Sequence, residues 1–123
     1  MGIPLAAALC LHSGKPLVIG RKREYGLPGE TPIDQSTGYS KGAIYLNDIH
    51  EGDRVFIVDD VVSTGGTLLP ILKGIDKIGA IVADCWIVFE KGEGMNYVRS
   101  HGDWPLNSLV RIEMQGNKVV LLD

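Results

Sequence analysis

The chain has 123 residues, a length that fits one domain with one hydrophobic core, and its hydrophobic fraction of 45% and charged fraction of 22% are those of a globular protein. A formal net charge of −3 at pH 7 excludes a global positive field that gathers nucleic acid. No apolar run reaches the roughly 20 residues that a membrane-spanning helix needs, and residues 1–9 lack the basic start of a secretory signal. The two cysteines, Cys10 and Cys85, form no metal or redox motif. We therefore expect a cytoplasmic protein with reduced thiols that binds neither nucleic acid nor membrane.

The first half of the chain predicts a helix, a strand and a long loop. Residues 3–11 are rich in Ala and Leu, with Pro4 in the first turn, where it is tolerated, and Gly14 just beyond the end. Residues 16–20 are a short apolar run typical of a buried strand, and a basic triplet follows them. Residues 24–41 are rich in Gly, Pro, Ser and Thr and show no period. A loop of this length in a compact domain is typical of a lid or a binding segment.

The second half of the chain alternates strands with helices. Residues 54–58 are apolar and β-branched, the pattern of a central parallel strand. Residues 68–78 carry an apolar face at helical spacing, formed by Leu68, Leu69, Leu72, Ile75 and Ile78. Further strands are predicted at residues 43–46, 81–89, 108–113 and 118–122, with a short helix at 95–100 and a hairpin turn at Gly116-Asn117. This order predicts one α/β domain, residues 1–123, built on a doubly wound sheet flanked by helices.

The strongest candidate site lies where the strand of residues 54–58 ends. Asp59 and Asp60 stand at its carboxyl end, where open α/β sheets bind their ligands. The loop that follows combines hydroxyls, paired glycines and a helix N-terminus, all of which suit a phosphate group. This loop comprises Val62, Ser63, Thr64, Gly65, Gly66 and Thr67. It lacks the ending of a Walker A loop. A phosphate cradle preceded by two acids indicates a sugar phosphate, whose hydroxyls the carboxylates would bind.

Residues 58–67, Val-Asp-Asp-Val-Val-Ser-Thr-Gly-Gly-Thr, resemble the signature with which type I phosphoribosyltransferases bind phosphoribosyl pyrophosphate (PRPP). The resemblance implies the fold of that family, a parallel Rossmann-like sheet flanked by helices with a flexible hood loop. It assigns the ribose hydroxyls to Asp59 and Asp60, and the 5-phosphate to residues 62–67. It also implies a Mg²⁺ ion that travels with PRPP, which Asp59 and Asp60 contact only indirectly through the substrate. A homodimer is a further expectation from the family.

The resemblance extends to the basic triplet and the long loop. Arg21 and Lys22 resemble the basic pair whose side chains reach the pyrophosphate, and residues 24–41 match the hood. Within the hood, Tyr39-Ser40-Lys41 resembles the Tyr-Gly-Lys of adenine-type enzymes. A loop that closes over PRPP would exclude the water that hydrolyses the reacting centre. The catalytic candidates are then Lys22, Tyr39, Asp59 and Asp60.

The order of the motifs resembles that of the archaeal hypoxanthine/guanine phosphoribosyltransferases, which are themselves similar to adenine phosphoribosyltransferases. Residues 89–95 and 109–113 strengthen this resemblance. Two positions depart from better-known patterns. Ser63 stands where the common hypoxanthine-guanine enzymes have an acid, and Gly38 stands where many adenine enzymes have Glu. The resemblance implies an enzyme of purine salvage that transfers 5-phosphoribose from PRPP to hypoxanthine or guanine, with adenine as the alternative acceptor.

The purine base is expected near the end of the predicted strand of residues 81–89. Trp86 and Phe89 are candidates for an apolar wall against the base. Lys91 is a candidate for the group near a 6-oxo substituent.

The first residues of the chain resemble a segment that lies several tens of residues inside the sequences of other family members. Residues 2–4 and the helix after them resemble the segment that follows the family's pyrophosphate loop. We therefore expect a domain that is shortened at its N-terminus relative to the family. Two other interpretations stay open, a PRPP-sensing regulator and a PRPP-binding but inactive fragment. Retention of the hood and the basic pair favours an enzyme.

Overall fold

The computed structural model describes residues 1–37 and 40–122, with residues 35–37 and 40–41 described by their backbone alone. Three helices and six strands are described within these residues. In chain order they are α1 (Ile3–Ser13), β1 (Thr31–Thr37), β2 (Ser40–Leu46), β3 (Arg54–Val62), α2 (Leu68–Ile78), β4 (Ile81–Lys91), α3 (Gly94–Arg99), β5 (Leu106–Gln115) and β6 (Lys118–Leu122). No helix in these two ranges is both long and apolar enough to cross a membrane.

Two sheets make up the β-structure. The larger has the order β3-β4-β5-β6, in which β3, β4 and β5 run parallel and β6 returns antiparallel to β5. The smaller is the antiparallel hairpin β1-β2. The α/β class is confirmed, and so is the predicted hairpin, in which the Gly116 turn folds β6 back on β5 at the edge of the parallel strands. The expectation of a central strand at residues 54–58 is also wrong for the described part of the chain, where β3 pairs only with β4.

Helix α2 supplies much of the core. Its apolar face is buried as its spacing predicts, and Leu72 and Ile75 are almost completely inaccessible to solvent. The hairpin β1-β2 docks on this helix at Gly74. A Cβ atom at Gly74 would lie 2.7 Å from Cγ1 of Ile33, so the glycine permits the close approach. The core also contains Cys85 of β4, whose burial raises the pKa of its thiol to about 12.

The predicted helices are confirmed with small differences in their ends. Helix α1 runs two residues further than predicted, to Ser13, and Gly14 ends it in the left-handed conformation (φ 71°). The strands predicted in the second half of the chain also form, with β5 beginning earlier and ending later than expected. These elements were predictable because their apolar periodicity, or the glycine that ends them, can be seen in the local sequence.

Two predictions for the first half are wrong. Residues 16–20 do not form a strand; directly after them, Arg21 exchanges two backbone hydrogen bonds with Tyr45 of the hairpin. Much of the predicted loop of residues 24–41 is instead hairpin, because β1 and the start of β2 lie within it. The strand β1 has an irregular polar sequence, and its single buried apolar residue among those described, Ile33, gains its environment from α2 rather than from its neighbours in sequence.

Candidate phosphate and sugar binding site

The two aspartates of the predicted site lie inside β3, which continues past them to Val62. Both are partly buried. The N–H of Asp60 donates to Oδ1 of Asp59 at 2.9 Å, and the N–H of Val61 donates to Oδ1 of Asp60 at 2.8 Å. Each carboxylate is therefore oriented by the backbone of the residue that follows it. The orientation leaves carboxylate oxygens that can accept hydrogen bonds from a ligand's hydroxyl groups.

Asp59 lies against the start of α1. A Cβ atom at Gly2 would come within 2.5 Å of Oδ1 of Asp59 and 3.1 Å of the carbonyl oxygen of Val58, so a larger residue at this position would displace the Asp59 carboxylate. Burial raises the pKa of the Asp59 carboxyl above its ordinary value, and the neighbouring Asp60 carboxyl raises it further. The N–H of Asp60 and the positive chain terminus act in the opposite direction. Gly2 was not predicted as a site residue, and a lone glycine in a sequence does not report what it faces.

The loop of residues 63–67 connects the aspartates to α2. Ser63, Thr64 and Thr67 are exposed, Gly65 is buried, and the N–H of Gly66 donates to the Thr64 hydroxyl at 3.2 Å. Helix α2 has 11 residues and begins directly after the loop, so its positive N-terminal end faces the same region. The loop thus presents hydroxyls and a helix N-terminus beside two carboxylates, as the sequence predicts.

The short helix α3 packs directly against this loop. Gly65 has φ +79°, and a Cβ atom there would lie 2.8 Å from both the carbonyl oxygen of Gly94 and Cγ2 of Val98. A Cβ atom at Gly94 would in turn overlap the carbonyl group of Ser63 and come within 2.9 Å of the Gly65 nitrogen. The requirement for Gly65 is therefore a close approach between two backbones as well as a positive φ. Gly94 was missed in the sequence because its partner is 29 residues away.

The three candidates for contacting a base lie at different levels of β4. Phe89 is 38% exposed and pairs with Val61 across the strands, which places it beside the aspartates. Lys91 is the last residue of β4 and is partly buried. Trp86 pairs with Val58, further from the carboxyl end, and its indole N–H donates to Asp84 at 3.0 Å. The structure therefore places Phe89 and Lys91, more than Trp86, at the end of the sheet where the loop lies.

No contact of the described residues brings the predicted basic pair, Arg21 and Lys22, to the phosphate loop. The guanidinium of Arg21 binds Glu30 at 3.2 Å, donates to the side chain of Asn47, and stacks over Tyr25 with 4.4 Å to the ring centroid. Lys22 is exposed. Tyr39 lies outside the described residues, so its predicted role stays a prediction.

A buried acid that was not predicted as a site residue lies near the end of β4. Glu90 is 3% exposed and accepts a hydrogen bond from the Ser108 hydroxyl at 2.7 Å. Arg99 Nη1 lies 3.5 Å from its Oε1, and Arg111 Nε lies 3.9 Å from the same oxygen. The sequence could have indicated this residue, because an acid at the end of an apolar strand is expected to be buried and a buried charge needs partners.

Metal-binding capacity at the site comes from the aspartate pair. Within residues 1–37 and 40–122 no group of three or more His, Cys, Asp or Glu side chains is placed to hold a metal ion. Mg²⁺ prefers oxygen ligands and keeps several waters when it binds together with substrate phosphates, so Asp59 and Asp60 would meet such an ion indirectly, through the substrate that carries it. The residues present therefore fit a magnesium ion that is shared with a bound diphosphate.

The fold and the site together define an α/β protein with a candidate phosphate and sugar site at the carboxyl ends of its parallel strands. A sequence profile of the phosphoribosyl transferase domain matches residues 1–119. The chain belongs to this family. It is 50% identical over 122 residues to a hypoxanthine/guanine phosphoribosyltransferase of Methanotorris igneus, covering 99% of this chain and 67% of that relative. It is 51% identical over 123 residues to the protein of the same name from Ferroglobus placidus, covering 100% of this chain and 65% of that relative.

Solved structures agree on the fold. The crystal structure of adenine phosphoribosyltransferase from Thermoanaerobacter pseudethanolicus matches with a TM-score of 0.76 and 26% sequence identity, covering 89% of this chain and 64% of that chain. The enzyme of the same name from Rhodothermus marinus also gives 0.76 and 26% identity, covering 89% and 63%. The expected type I phosphoribosyltransferase fold is confirmed. The chain spans about two thirds of the length of each of these relatives and structures.

Proposed function

We propose that this chain carries the PRPP site of a purine phosphoribosyltransferase that transfers 5-phosphoribose to hypoxanthine or guanine and releases pyrophosphate. The observation that carries the proposal is the direct succession of Asp59 and Asp60, the loop of residues 63–67 and the N-terminus of α2 at one end of the sheet. The names of the relatives at about half identity support an oxopurine as the acceptor.

The aspartates and the loop divide the sugar phosphate between them. Asp59 and Asp60 accept hydrogen bonds from the ribose hydroxyls, which their backbone-fixed orientation favours. Hydroxyls and backbone of the loop hold the 5-phosphate at the positive end of α2. Two anchors on either side of the reacting carbon fix its position relative to an incoming base, which is how positioning lowers an activation barrier.

Cations are needed where the pyrophosphate leaves. Lys22 is the side chain proposed for this role because it is exposed, whereas Arg21 is engaged by Glu30 and Asn47 and would have to exchange these partners to reach the anion. A Mg²⁺ ion bound with PRPP would supply further neutralisation of the leaving group, and Asp59 and Asp60 fit it as indirect ligands through the substrate. Tyr39 stays a proposed hood residue.

The proposed base site is the surface of Phe89 and the end of β4. The exposed ring of Phe89 offers an apolar face for a planar purine. Lys91 follows Phe89 by two residues and therefore shares its face of β4, so it is the proposed donor to a 6-oxo group. Trp86, three residues before Phe89, stays the other proposed wall. Ser63 is a poor proton shuttle at neutral pH, so the loop supplies the phosphate site and leaves proton transfer at the base to another group.

The setting proposed for this activity is purine salvage in the cytoplasm by a homodimer. Nucleotide salvage fits an enzyme that uses free bases and PRPP, and the family resemblance supports a dimer. No nucleic acid or membrane partner is proposed.

Pyrophosphate release tests the proposal. The chain is given PRPP and Mg²⁺ with hypoxanthine, guanine, adenine and xanthine in separate reactions, beside the double variant Asp59→Asn/Asp60→Asn. Release with hypoxanthine or guanine that the double variant loses is the expected result. Release of pyrophosphate with adenine alone would show that the acceptor is adenine and not an oxopurine. Binding of PRPP without release for any base would leave a PRPP-binding regulator or an inactive fragment.

A further inference from the structure

The position of the phosphate loop depends on α3, which no motif of the site includes. The carbonyl oxygen of Gly94 and the fully buried side chain of Val98 face Gly65 from below, as the close approaches at Gly65 show. The carbonyl group of Ser63 lies against Gly94 so closely that no Cβ atom fits between them. A displacement of α3 therefore moves the loop, since closely packed backbones transmit such shifts.

Helix α3 has only six residues, so it needs tertiary contacts to hold its place. Its last residue, Arg99, contacts both Oε1 of Glu90 at 3.5 Å and Oδ1 of Asn96 at 3.1 Å. Glu90 is itself fixed in β4 and receives the Ser108 hydroxyl from β5. The Glu90–Arg99 pair thus ties the end of α3 to the larger sheet.

We propose that Glu90 and Arg99 are positioning residues for PRPP binding, and that they act by holding α3 against the loop of residues 63–67. The inference rests on the proposed function, because it names PRPP as the ligand of that loop. Neither side chain need touch the substrate. Their effect passes through Gly94 and Val98 to Gly65.

Arg111 provides a matched control. Its Nε lies 3.9 Å from the same Glu90 oxygen, and its side chain is 51% exposed against 43% for Arg99. Arg111 belongs to β5 and not to α3. Removing either arginine takes one positive charge from Glu90, but only the change at Arg99 removes a contact between α3 and the larger sheet.

The test compares Arg99→Met, Arg99→Lys and Arg111→Met by PRPP titration with Mg²⁺, and by the backbone amide NMR signals of residues 63–66 without ligand. A misplacement of about 1 Å can cost on the order of 100-fold in a positioned site, so we expect Arg99→Met to raise the dissociation constant for PRPP about tenfold or more. Arg99→Lys should recover part of the loss. Arg111→Met should stay within about threefold of the unaltered chain, because it leaves α3 attached.

The NMR signals separate the failure of this inference from failure of the proposed function. Shifted or broadened amide signals of residues 63–66 in Arg99→Met, with unchanged signals in Arg111→Met, support the positioning role even in the absence of PRPP. Equal loss of PRPP affinity in both methionine variants would overturn it, as would unaltered loop signals in Arg99→Met. If the unaltered chain fails to bind PRPP, the proposed function fails, and the NMR comparison alone decides whether α3 positions the loop.

Discussion

At the scale of single residues, the site places two carboxylates side by side in a strand, where neither is fully solvated. Burial and the proximity of Asp60 both raise the pKa of Asp59. The arrangement lowers the stability of the fold at neutral pH, because the ionised form of Asp59 is less favourable in the folded chain than in the unfolded one. Retaining both acids is understandable if they bind hydroxyl groups of a ligand.

Substituting Asp59→Asn should therefore increase stability near neutral pH. Because the pKa of Asp59 is raised in the folded chain, the folded chain still holds the proton at pH values at which the unfolded chain has lost it. The free energy of unfolding therefore falls as the pH rises from the ordinary value of 3.8 to the raised pKa, and it stays lowered at higher pH. The variant should lack this decrease. Urea unfolding at about pH 4 and about pH 7 measures it. The exposed Asp34→Asn is the control for loss of one negative charge, and a less stable Asp59→Asn at neutral pH would contradict the interpretation.

Gly65→Ala should cost more than a glycine substitution in an open turn. Gly65 (φ +79°) and Gly116 (φ +62°) share the left-handed conformation, but an added Cβ atom meets nothing within 4 Å at Gly116. Both variants carry backbone strain of about 1–2 kcal/mol, and Gly65→Ala adds overlap with Gly94 and Val98 of about 1–3 kcal/mol. Chemical denaturation measures the difference, and PRPP affinity should fall only for Gly65→Ala. Equal effects of the two changes would show that the loop can move away from α3.

At the scale of helices and strands, the sequence predicted elements whose signal is local. Helix α2 has an apolar face in its own sequence and ends at Gly79, so its bounds followed directly. The hairpin β1-β2 was not predicted, because Ile33 is buried through contact with Gly74, far along the chain. The aspartates and the loop were predictable from a contiguous motif. The packing of Gly94 against the loop, and the contacts of Glu90 with Arg99 and Ser108, were not predictable. These contacts join residues that are distant in sequence.

Leu72→Ala tests whether α2 is the centre of the core. Leu72 is completely buried, and removal of such a side chain costs about 2–5 kcal/mol, through lost burial and the cavity left behind. Its neighbour Lys73 is exposed, and Lys73→Ala should change stability by less than about 0.5 kcal/mol. Thermal and urea unfolding of both variants measure the contrast. A small loss of stability in Leu72→Ala would contradict this, since it would mean that neighbouring side chains can relax into the cavity.

At the scale of the whole molecule, large apolar side chains remain exposed on one face of the four-stranded sheet, among them Phe56 at 54% and Leu109 at 66%, which the strand register places on the same side. A surface of this kind favours association. We expect a mass in solution of twice the 13.3 kDa of one chain, measured by light scattering after size exclusion. Leu109→Ser should shift the population toward the single chain. A strictly monomeric chain at all accessible concentrations would contradict the dimer.

The measurement that bears most directly on the central claim is a calorimetric titration of the chain with PRPP in the presence of Mg²⁺, repeated with Asp59→Asn/Asp60→Asn. Hydrogen bonds to charged groups contribute about 1.5–3 kcal/mol each, so loss of both carboxylates should weaken PRPP binding on the order of 100-fold or more. Ribose 5-phosphate should compete for the site in the unaltered chain. Equal affinity for PRPP with and without the two carboxylates would contradict the assignment of this site to the substrate's ribose.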